Sequence, residues 1–154
     1  MAAAAAMIAP KLPPAADALV VDTAPTGSRA ICDPPPTDTD EDWLLFVPES
    51  AFDAFSGHLD ADGWDEANGS EVEPMTDDDQ RGGSEFTSFA KQCGDRVVNL
   101  IVTRKGEFFR RFAAATSVAR RLNLLDKSDR IALFQAVLYG NPATMRAEGS
   151  PAAV

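Results

Sequence analysis

Two stretches of this chain combine residue types and spacing that could do chemistry. One is Gly27-Ser28-Arg29-Ala30; the other, separated from Ser28 by eleven residues, is Asp40-Glu41-Asp42-Trp43-Leu44-Leu45-Phe46-Val47. A glycine-serine turn lets the main chain approach a phosphate closely enough for backbone N–H groups to hold it. Asp40 and Asp42 occupy alternate positions as they enter an apolar run, so on a strand both carboxylates project from one side. Such a pair suits a hard divalent cation, which prefers oxygen ligands and keeps part of its water shell. A cation held there beside a phosphate would serve phosphoryl-transfer chemistry. By itself Gly27-Ser28 would be a plain turn after Pro25, and residues 38–42 a solvated acidic loop. Their combination, at this spacing and ahead of an apolar strand, is what points to a site.

Turn, spacing and paired acids together resemble the nucleotidyltransferase superfamily of the polymerase-beta type. In that family the Gly-Ser turn opens a helix and binds a nucleoside triphosphate, two aspartates ligate magnesium ions, and a third acid comes from a later strand. The resemblance implies Gly27, Ser28 and Arg29 as phosphate contacts, Asp40 and Asp42 as catalytic metal ligands, and Mg2+ as cofactor. It leaves the acceptor open between a protein, an RNA end and a small molecule. Asn99 stands at the plausible third-acid position; its carbonyl can ligate, but it cannot serve as a carboxylate base. The chain departs from the pattern in two further places. Thr23-Ala24-Pro25-Thr26 separates the preceding apolar run from the turn, and Glu41 stands between the aspartates where the family carries an apolar residue.

A second resemblance, to nucleotidyltransferase-like proteins carried by tailed bacteriophages, runs through Val98-Asn99-Leu100-Ile101-Val102-Thr103, Phe108-Phe109, Ala119-Arg120-Arg121-Leu122-Asn123 and residues 129–141. It implies one domain over about residues 18–141. Its apolar stripes are core and carry no chemistry. The alternative function is a non-catalytic, acidic phage-type protein that uses the same fold to bind a host or phage protein.

The elements that must position these residues follow from periodicity. Residues 1–17 read as a disordered alanine- and proline-rich leader, without the early basic residue and strong apolar run of a signal peptide. The run 18–21 predicts a strand or the end of a short helix. Residues 43–47 predict a buried strand ended by Pro48, and 49–59 a helix with Phe52, Phe55 and Leu59 on one face. Residues 60–85 read as acidic loop. Residues 86–90 and 97–103 predict a hairpin around Gly94. Residues 105–125 predict a helix burying Phe108, Phe112, Ala115, Ala119 and Leu122. A last helix starts near Asp126 and Asp129, buries Ile131, Phe134, Val137 and Leu138, and stops at Gly140 and Pro142, before a disordered tail at 142–154. The fold class is α+β, a small mixed sheet covered by helices. Period-two alternation further puts Asn99, Ile101 and Thr103 on one face of their strand, turned toward Asp40 and Asp42.

Charge is divided along the chain. The net charge of −10 argues against non-specific nucleic-acid binding, yet residues 1–95 carry four Lys/Arg against twenty Asp/Glu, while residues 96–130 carry nine against three. An acidic half facing a basic half suits a metal-dependent site for a phosphorylated substrate. The acidic excess, with Asn99 in place of an acid, also motivates the protein-binding alternative. Cys32 and Cys93 make no disulfide or metal framework, and a reducing cytoplasm is the natural compartment. No segment has the length of a transmembrane helix. His58, the sole histidine, reads as a surface residue, and one histidine with two distant cysteines makes no zinc site. Ser28 has no histidine partner nearby for a Ser-His hydrolase. Asp77-Asp78-Asp79 lacks the glycine and terminal glutamate of a calcium loop.

Overall fold

The centre of the sheet is made by the two most apolar segments. In the computed structural model, which describes residues 7–37, 40–68 and 86–139, strand β2 (Glu41–Phe46) buries Trp43, Leu44 and Leu45 in succession. Consecutive burial requires cover on both faces, as a central strand has. β2 pairs in parallel with β5 (Arg96–Thr103), and β5 pairs antiparallel with β4 (Phe86–Cys93) in the expected hairpin around Gly94, whose φ is +67°. β1 (Asp22–Thr26) and β3 (Asp65–Asn68) close the edges of a mixed sheet ordered β1-β2-β5-β4-β3, with both edge pairings antiparallel. The fold is α+β.

Alternation sorts side chains to two cores. Trp43, Leu45, Val98, Leu100 and Val102 face α3 (Glu49–Ala61), which contributes Phe52, Phe55 and Leu59. Leu44, Phe86 and Ile101 face the opposite way, onto α4 (Gly106–Leu122) and α5 (Lys127–Tyr139). Two one-turn helices, α1 (Pro14–Asp17) and α2 (Ser28–Ile31), complete the element order.

Several expectations need correction. Of the two readings of 18–21, the end of a short helix is the one observed, since Ala18 caps α1, Leu19 N–H donates to Ala16 O and Val20 N–H to Asp17 O, and the first strand is Asp22–Thr26. Sequence DTAPT hides a strand because it is an edge, where Pro25 is tolerated. β3 lies inside the expected acidic loop for the same reason: an edge strand needs little apolar content. Helix α4 ends at Leu122, which is 61% exposed, because Asn123 adopts a left-handed conformation (φ 49°). Leu124 packs on the core beyond it. Residues 7–17 of the expected disordered leader lie against the α3-side core, with Ala16 fully buried and Met7 and Leu12 packed on it. Asp77-Asp78-Asp79, Gly140, Pro142 and the 142–154 tail fall outside the described residues.

Candidate functional site

Register alone brings the turn and the acids together. β1 runs antiparallel to β2 with Thr26 opposite Asp42, so Gly27 leaves the sheet beside the Asp42 side chain. The intervening Thr23–Thr26 stretch is therefore the strand itself, and the Gly-Ser turn does follow directly on a strand. Asp42 is in turn opposite Asn99 on β5. Asn99 Nδ2 donates to Asp40 Oδ2 at 3.1 Å and to Asp42 Oδ1 at 3.0 Å. Both carboxylates thus converge on one nitrogen.

Gly27 has φ 78°, a region that side chains other than hydrogen rarely enter, and it caps the single turn of α2 by accepting from Ala30 and Ile31 N–H groups at 3.0 Å. A β-carbon there would collide with Asp42 Oδ2 and stand 2.9 Å from Asp42 Cβ and Cγ. The turn is glycine because the carboxylate occupies the space. Glu41, between the aspartates, alternates to the other face and pairs with Arg96 at 3.6 Å with its side chain 14% exposed. Its charge is compensated away from the site, which is how an acid stands where an apolar residue was expected.

A cavity of about 440 Å³ opens at this point. Its polar lining includes Thr26, Gly27, Ser28, Asp40, Asp42 and Asn99, and its apolar lining Ile31, Ile101, Phe112, Ile131 and Phe134. Thr26 is held by Thr116 of α4: the two hydroxyls lie 2.8 Å apart, and Thr116 donates to Phe112 O at 3.1 Å, which leaves Thr26 as donor of the shared bond.

The cations of the cavity are not the expected one. Arg29 is absent from its lining, whereas Lys127 and Arg130 of α5 are on it. Arg130 Nη1 donates to Leu124 O at 2.9 Å and Leu125 O at 2.8 Å and lies 3.5 Å from Cys32 Sγ, so it ties α5, the α4–α5 loop and the end of α2 together. The sole signal for these cations was the basic excess of residues 96–130; nothing local links them to Ser28.

Magnesium takes hard oxygen ligands, which the two carboxylates could offer and the Asn99 carbonyl could join, but as it stands Asn99 turns its nitrogen to both acids. Among the described residues no group of three or more His, Cys, Asp or Glu side chains could hold a metal ion, so the aspartates stand without a third acid.

No protein-family model matches the chain, and no curated protein matches it. Among solved structures, it is similar to the conserved protein GrpB from Enterococcus faecalis, at 12% identity over 88% of this chain and 87% of that one. The TM-score is 0.44, and a likeness at that level carries no argument about this site. No helix among the described residues is long and apolar enough to cross a membrane.

Proposed function

We propose that this protein binds a magnesium–nucleoside triphosphate complex and transfers its nucleotidyl group to an acceptor in the cytoplasm. The observation that carries this reading is the convergence of Asp40 and Asp42 beside Gly27, in a cavity that also holds Lys127 and Arg130. Gly27 and Ser28 would bring main chain against the phosphates, and the two cations would offset their outer charge. Arg29 is left out of that role. Asp40 and Asp42 would hold the ion, which supplies charge neutralisation and lowers the pKa of an acceptor hydroxyl.

In the transfer, the acceptor oxygen attacks the α-phosphorus, and the bond from that phosphorus to pyrophosphate breaks. Pyrophosphate leaves with the electron pair, and the hydroxyl proton passes to the Asp40 carboxylate, the more exposed of the two acids. The protein-binding alternative is favoured by Asn99 standing where a third acid is expected.

Calorimetry with each common triphosphate, with and without magnesium, tests the proposal. Magnesium-dependent binding of at least one triphosphate is expected, weakened roughly tenfold or more in Asp42→Asn. Identical, metal-independent binding by the wild type and Asp40→Asn/Asp42→Asn would overturn it. No binding at all would leave the protein-binding reading in its place.

A further inference from the structure

We propose that Asn99 stands in for a cation between Asp40 and Asp42, so that magnesium alone does not settle in the site and enters only with a triphosphate. The inference deepens the function proposed above and rests on it for the identity of the incoming ligand. Two carboxylates facing a common point repel each other, and a donor placed at that point lowers the repulsion. Here the point is taken by the Asn99 amide nitrogen, at 3.1 Å from Asp40 and 3.0 Å from Asp42. An amide nitrogen carries two hydrogens, one for each acid. An aspartate at this position could offer neither.

The backbone holds Asn99 there. It pairs with Asp42 across the parallel β2–β5 ladder, and its neighbours Val98 and Leu100 are buried on the other face of the sheet. The amide can still turn about its last side-chain bond and present Oδ1 instead of Nδ2. That turn gives up both hydrogen bonds and exchanges a donor for an oxygen ligand. A hydrated magnesium ion, which sheds water reluctantly, offers little in return. A magnesium ion already carried by phosphate oxygens brings its other contacts with it, to Ser28 and to the cations Lys127 and Arg130 on the same cavity. Asn99 is therefore a positioning residue that makes metal binding conditional on the nucleotide.

Thermal unfolding of the full chain in millimolar magnesium chloride, with Asn99→Asp and Asn99→Leu beside the wild type, reads this without any activity. The wild-type Tm is expected not to move with magnesium alone. Asn99→Asp should unfold about 3 °C or more below the wild type in chelator and regain that stability on adding magnesium. Asn99→Leu, which lacks both donor and ligand, should lose stability as well. If Asn99→Asp folds only with cation present, its unfolding on addition of chelator supports the proposal equally. A wild-type Tm that rises with magnesium alone as far as that of Asn99→Asp would overturn it. So would an Asn99→Asp variant as stable as the wild type and indifferent to the ion. The proposed function fails separately, when the wild type takes up no magnesium–triphosphate complex by calorimetry.

Discussion

At Gly27 two constraints coincide: a positive φ and a carboxylate packed against the α-carbon. Gly27→Ala therefore adds backbone strain and a clash with Asp42, together costing about 1–3 kcal/mol. The clash can be separated from the strain. In a double-mutant cycle with Asp42→Ala, the combined variant should lose less than the sum of the single losses, because the colliding carboxylate is gone while the φ penalty remains. Additive losses in thermal unfolding would mean that the close approach is relaxed at no cost. The same close approach explains why sequence and site agree at this point. A serine or alanine at position 27 would push the acid away from Asn99, so the turn residue and the acid are one feature.

At the scale of elements, the cavity depends on helix α5 being held against α4. Phe134, 4% exposed, packs edge-on to Phe112 with ring centroids 5.1 Å apart, and Leu138 is buried beside it. The start of α5 is set by Asp126, whose Oδ1 accepts from Ser128 N–H at 2.8 Å, and by the Arg130 contacts to the loop carbonyls. Phe134→Ala should cost about 3–5 kcal/mol and loosen the helix that carries Lys127 and Arg130. Amide exchange would report this as faster exchange in α5 while β5 stays protected, with weaker triphosphate binding alongside. Equal loss of protection in both elements would show that α5 and the sheet open as one unit. The other end of α4 is fastened differently. Asn123 Oδ1 accepts from Asp33 N–H at 3.0 Å and its Nδ2 donates to Asp33 O at 3.3 Å, which pins the segment after α2 to the helix terminus.

Over the whole molecule, the acidic and basic parts of the sequence interleave. β2, from the acidic part, pairs with β5, from the basic part, and ion pairs join the two parts of the sequence: Glu41 of β2 to Arg96 of β5, and Glu49 of α3 to Arg104 just after β5, each at 3.6 Å. β2 and β5 also contribute side chains to both cores, so loss of either strand exposes both faces of the sheet. The segment ahead of β1 belongs to the same structure, through Ala16, Met7 and Leu12. Deleting residues 1–17 removes that apolar cover and should lower stability by about 2–3 kcal/mol. A thermal unfolding midpoint that does not change on deletion would show that the cover contributes nothing.

Local pattern was enough for the central strands, the three long helices and the alternation of the acids along their strand. Residues 43–47, 97–103 and the stripes of α3, α4 and α5 carry strong apolar periodicity, and periodicity is a local property of the backbone. It also put Asp40 and Asp42 on one face of their strand, and Asn99 on the face of its own strand that carries Ile101 and Thr103, since parity along a strand fixes the face. The edge strands were not legible, because DTAPT and the acidic segment around Asp65 bury little and so leave no pattern. Nor was the choice of Lys127 and Arg130 over Arg29. The meeting of Asn99 with Asp42, 57 residues away, came from the folded arrangement alone. Parity assigns a face but not a neighbour. The neighbour is set by the register in which β2 and β5 bury both of their faces at once.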